Sequence, residues 1–264
     1  NKDFLNVSDE LAGQLTMTEI FENAGYTRNW HRNIFTGIPN SSGMILDEGP
    51  LTNPWTGSSD ELKMAQGTLR TLNSNGFNSG NAPFHRWGGL YTLIRQANLF
   101  IENAKEIPQS GDTDFIDAVE LKKMKAQARF LRAYYHYLLF EQYGPVPIME
   151  SSIDPSSSEI DFERNSVDEV VDYLYKELTE VSTDLDEINT DQNYLALPTK
   201  GVALAVRAKL MIYAASPLYN GGYEEALAVT NPSGKKLFSA ADPSKWNKAE
   251  VALRDFITFA ESGK

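Results

Sequence analysis

The chain contains no cysteine, which excludes disulfides, thiolate nucleophiles and cysteine-held metals. That absence does not fix a compartment, because exported proteins can lack cysteine too. Histidine is scarce. His31, His85 and His136 are the three present, no two stand at metal-ligand spacing, and H-E-x-x-H is missing. All three read as structural or surface residues, since no paired acid or nucleophile surrounds them. No stretch of about 18 apolar residues occurs, so no transmembrane helix is expected. Positive charge is in short supply: 24 Lys and Arg stand against 36 Asp and Glu, a net charge of −12. Nucleic acid and anionic lipid, which need clustered cations, are disfavoured as partners. There is no initiator methionine and no signal-peptide pattern, so Asn1 reads as a processed or engineered start.

Catalytic and phosphate motifs are missing as well. There is no G-x-S-x-G, no Walker A and no G-x-G-x-x-G, and Gly88-Gly89 follows no strand. Strand signals are sparse. Residues 146–149 are the candidate short edge strand, weakened by Pro147.

What the chain has is helix. Residues 121–147 form the best-defined segment, with apolar or small residues at 121, 124, 128, 131, 135, 138 and 139. Gly144 suits the left-handed position after a helix, and Pro145 blocks continuation. Thr16 with Glu19 forms a capping box for a helix to about residue 32, and Ser58 with Glu61 another for a helix to about residue 72. Residues 87–107 carry Leu90, Ile94, Ala97, Ile101 and Ala104 on one face. Ser166 and Glu169 cap a helix to about residue 185. Residues 199–218 are rich in alanine and allow close approach of a neighbour. Ser244 is expected to cap a last helix to about residue 260, with Trp246, Ala249, Leu253 and Phe256 inward. Residues 33–58, 73–83 and 151–165 read as loops.

These helices are expected to pair, 87–107 with 114–143 and 166–185 with 199–218, while the helix from 245 opens a third pair that is unfinished. First helices recur at about 80 residues, longer than the ~34 of a plain tetratricopeptide repeat. Long inserted loops account for the excess. The expectation is a mainly α fold of tetratricopeptide-like helical pairs, an α-solenoid with long irregular loops, stopping inside a single domain.

The chemistry offered is that of binding. A sugar ring can lay its C–H face on an aromatic ring while polar side chains meet its hydroxyls. Residues 47–86 supply that mixture in Asp47, Trp55, Arg70, Phe77, Asn78, Asn81 and Phe84. The competing reading has Trp55 and Phe84 pinning the loop to the body. Trp87 and Trp246 open helices at apolar-face positions and read as core; Trp30 fits either role. The tyrosines of residues 121–147 read mostly as core. Adjacent Asp47 and Glu48 do not by themselves meet the ~5–10 Å separation of a glycosidase acid pair. Asp184, Asp186, Glu187 and Asp191 cluster, but lack the EF-hand glycine. No catalytic residue, metal or cofactor is expected.

Several motifs resemble, in order, those of the SusD/RagB family of outer-membrane lipoproteins. Residues 1–5 are similar to the segment after the lipidated cysteine of such proteins, and Leu46-Asp47-Glu48 to the step before their variable loop. Trp87, Tyr91, Ile94, Ala97 and Asn98 match W-x3-Y-x2-I-x2-A-N. The most specific pieces are residues 128–135 with 143–147, then 198–210 with 214–221. The resemblance implies a lipoprotein on the extracellular face of the outer membrane, its anchor absent from this chain. It implies a glycan ligand, or a peptide in the RagB branch, and a SusC-type TonB-dependent transporter as partner. Family members are about twice as long, so part of the binding face would lie elsewhere. A tetratricopeptide-type scaffold that binds protein segments is the alternative from another class.

Overall fold

The computed structural model describes residues 15–39, 78, 85–154, 161–192 and 195–263. Among them are seven α-helices and no strand. These are α1 (Met17–Glu22), α2 (Ala24–Ile34), α3 (Trp87–Asn103), α4 (Ala118–Tyr143), α5 (Val167–Val181), α6 (Lys200–Ala215) and α7 (Ser244–Glu261). Each packs on the next along the chain from α1 to α7, and α2 and α6 also touch α4. The expected mainly α architecture is what forms. The helix expected from residue 58 lies outside the described residues.

Local chemistry explains most boundaries. The capping boxes of Thr16 with Glu19 and Ser166 with Glu169 both form, satisfying backbone donors that a helix start leaves open. Asp117 caps α4 by accepting from Glu120 N–H, so that helix begins later than residue 114. Gly144 ends α4 at φ 68°, a conformation that L side chains rarely adopt.

The structure corrects several expectations. The single helix over residues 16–32 is two helices. Asn23 turns extended (φ −113°, ψ 123°), and its side chain caps α2 by accepting from Tyr26 N–H. The break lets Phe21 and Trp30 meet at 5.5 Å, with Phe21 also 6.0 Å from Phe100 of α3. Trp30 donates to the Gln96 carbonyl at 3.1 Å, which settles it as a packing residue. Helix α4 is not amphipathic. Gln127, Arg132 and His136 are buried along with Ala128, Leu131, Tyr135 and Leu139, so the helix is covered on nearly every side. Ser244 makes no side-chain cap, and its N–H is held by Asp242 Oδ1 instead. Trp246, expected inward, is 51% exposed, because α7 turns only Ala249 and Ala252 fully into the core.

Small residues set two close approaches. Tyr135 donates to the Ile34 carbonyl, and a Cβ on Gly37 would stand 3.0 Å from the Tyr135 ring. Gly221, at φ 71°, lies so near residues 240–241 that a Cβ would come within 2.2 Å of the Ala241 nitrogen. Asn220 completes that turn by bonding to Asp242 at both ends of its amide.

Candidate ligand-binding site

Residues 145–150 do not pair as a strand, contrary to the sequence expectation. They run extended beside α3 and α4, and side chains take the place of a neighbouring strand. Arg164 donates to the Pro145 carbonyl at 3.1 Å, and Asn165 N–H to that of Val146 at 3.2 Å. Tyr91 donates to the Pro147 carbonyl at 2.7 Å, Asn98 to that of Met149 at 3.0 Å, and Arg132 to that of Glu150 at 2.7 Å. The Ile148 and Met149 N–H groups donate to Asn165 Oδ1 and His136 Nε2. Buried backbone groups must find partners, and here all of those named except the Val146 carbonyl find side chains.

The donors are themselves fixed. His136 Nδ1 lies 2.8 Å from the Arg132 carbonyl, which assigns the proton to Nδ1 and leaves Nε2 to accept. Burial depresses its pKa to about 4, so the ring is neutral near pH 7. Arg132 also holds Asn98 Oδ1 at 3.0 Å and Glu177 Oε2 at 2.8 Å. Burial alone would raise the Glu177 carboxyl, but Arg129 and Arg132 together hold it below its ordinary range. Burial pushes the Tyr91 hydroxyl up, so it stays a donor.

Between α3 and this segment lies a cavity of about 470 Å³, walled by Trp87, Tyr91, Ile94, Pro147, Met149 and Phe162. Its polar lining includes Thr92, Arg95, Asn98 and Asp161. The size is within the ~300–1,000 Å³ range of small-molecule sites. Trp87, expected in the core, is half-buried on the cavity wall. Its ring carries the Arg164 guanidinium at 5.0 Å and meets Tyr91 at 5.1 Å and Tyr143 at 5.2 Å.

Of the residues singled out by sequence, Asn78 is described, and it is exposed. Asp47, Trp55, Arg70, Phe77, Asn81 and Phe84 lie outside the described residues. The cavity residues Arg95, Asp161 and Phe162 carried no sequence signal. Arg95 is one charge on a helix, and the other two sit in a stretch with no periodicity. Three of the clustered carboxylates face lysines: Asp184 with Lys122 at 3.3 Å, Asp186 with Lys123 at 2.9 Å and Glu187 with Lys200 at 3.9 Å. His31 is buried on the ring of Phe100, and His85 stands beside Tyr143.

Three of the residues that clamp 145–150, Tyr91, Asn98 and Arg132, lie in the motifs that carry the family resemblance, and comparison with known proteins decides its meaning. The family model described as "Starch-binding associating with outer membrane" matches residues 32–212. The chain belongs to the SusD-like family. SusD-like protein P38 of Formosa agariphila is 26% identical over 199 residues, covering 75% of this chain and 35% of the relative. The solved structure of BT4246 superposes with a TM-score of 0.72 at 28% identity, over 90% of this chain and 40% of its own. A SusD-like carbohydrate-binding protein from Bacteroides fragilis shares the fold at a TM-score of 0.59 and 18% identity, covering 76% of this chain and 39% of its own. The chain therefore spans well under half the length of these relatives, and the SusD-like fold here is its tetratricopeptide-type helical part.

Proposed function

We propose that this chain belongs to a non-catalytic surface protein that binds oligo- or polysaccharide and delivers it to a SusC-type TonB-dependent transporter. The observation that carries the reading is the family match over residues 32–212, a family described by starch binding at the outer membrane. The reading places the protein on the extracellular face of that membrane, held by a lipid anchor outside this sequence. It treats the described helices as one domain with residues 33–86 as the variable loop region. In it, Asp47, Trp55, Arg70, Phe77, Asn78, Asn81 and Phe84 contact the glycan. The helical clamp supports this division of labour, because Tyr91, Asn98, Arg132 and His136 spend their polar groups on backbone.

Affinity electrophoresis against a panel of polysaccharides tests it. Retention of the chain by at least one glycan is expected, weakened by Trp55→Ala, with no reducing sugar released. Retention by none, together with tight capture of a peptide, would replace the glycan by a RagB-like peptide ligand. Co-purification with a TonB-dependent transporter from outer membranes tests the delivery step.

A further inference from the structure

The cavity between α3 and residues 147–153 holds two charged side chains without a structural task. Arg95 and Asp161 both line it. Neither has an ion pair or hydrogen bond among the described residues, with each other or with any third group. Their neighbours are otherwise engaged: Arg132 holds Glu177, Asn98 and a carbonyl, and Arg164 holds a carbonyl and covers Trp87. Two opposite charges that share a cavity and stay apart leave a donor and an acceptor facing one volume.

The walls narrow the choice of ligand. They are mainly apolar, and Phe162, 41% exposed, has no ring partner among the described residues. Gly88 lines the cavity too, and a Cβ added there would meet no atom of the described residues within 4 Å. At ~30 Å³ per water, the cavity has room for about fifteen waters, ample for a pyranose ring with its hydroxyls. A carboxylate ligand would satisfy Arg95 and face Asp161 with like charge. An ammonium would do the reverse. A hydroxyl both donates and accepts, so neighbouring sugar hydroxyls satisfy the two at once.

We infer that this cavity is a glycan subsite that seats one sugar ring. The C–H face of the ring lies on Phe162, and its vicinal hydroxyls bridge Arg95 and Asp161. The inference rests on the glycan-binding reading above, but places a contact surface outside the 47–86 loop. It requires a neutral sugar at this position rather than a uronic acid.

The test uses the full chain and four probes: amylopectin, laminarin, xylan and polygalacturonate. On whichever neutral glycan is retained, Phe162→Ala is expected to weaken binding roughly tenfold. Arg95→Ala and Asp161→Asn are each expected to weaken it roughly three- to tenfold, with the melting temperature unchanged because all three side chains reach solvent. Wild-type affinity in all three variants, with loss in Trp55→Ala, would overturn the subsite and leave the glycan reading standing. Loss in Arg95→Ala alone, seen with polygalacturonate alone, would show an anion site and also overturn it. Retention by none of the probes or of a wider panel would remove the glycan reading, and the subsite with it.

Discussion

Helices α4 and α7 are both expected from the sequence, yet they live in different environments. Along α4, Tyr135, Leu131 and Leu139 are fully buried, and even Arg132 and His136 are enclosed. Along α7, Ala249 and Ala252 are the residues fully buried, while Trp246, Val251 and Ile257 are each about half exposed. Helical periodicity reports that a segment can be a helix. It does not report how many neighbours the fold supplies. Helix α4 is touched by α2, α3, α5 and α6, whereas α7 packs chiefly on α6.

The contrast can be attacked first at the buried charge. Arg132→Leu would leave Glu177 with one guanidinium partner and cut the ties to Asn98 and Glu150. A loss of about 3–5 kcal/mol is expected in urea unfolding, since stripping a buried ion of its partner is costly. A loss below ~1 kcal/mol would mean that water reaches this network. Leu131→Ala should cost about 3 kcal/mol, because the side chain is fully enclosed. The same change at half-buried Leu253 of α7 should cost less than half as much. Equal costs would erase the distinction between the two helices.

Acid should act on the α4 side. Burial holds His31 and His136 at a pKa of about 4 against an ordinary 6.5, so both stay neutral in the fold and take protons when unfolded. Stability is then complete above about pH 6.5 and falls as pH drops towards 4, by up to about 3 kcal/mol per ring. His136→Gln keeps an acceptor for Met149 N–H and should flatten roughly half of that fall, read as urea midpoints at pH 7 and pH 5. An unchanged pH profile would show that His136 takes up its proton equally well folded and unfolded. The smallest effect is expected at Trp246→Ala, within about 0.5–1 kcal/mol, because half of that ring already faces solvent. A larger loss in thermal unfolding would place Trp246 in a packed interface.

Signals confined to a few residues were readable. The capping boxes at Thr16 and Ser166, the left-handed Gly144 and the apolar face of Leu90, Ile94 and Ala97 all take the form that the sequence predicts. The break at Asn23 was not readable, because Phe21, Ala24, Thr27, His31 and Ile34 keep a helical spacing across it. What accompanies the break is contact of Phe21 with Phe100, 79 positions further along the chain. Of the candidate site, Trp87 and Tyr91 were visible as motif residues and Asn78 as a loop residue. The placing of Arg95 and Asp161 on the wall of one cavity was not visible.

By itself the sequence determined most of the described helices, many of their ends and the family, because caps, periodicity and motif order are written in neighbouring residues. The tertiary structure decided which helix is enclosed, how residues 145–150 are held without a sheet, and which polar groups line the cavity. Those outcomes depend on side chains far apart in sequence competing for the same partners: Arg132 is spent on Glu177 and a carbonyl, whereas Arg95 has no ion pair among the described residues.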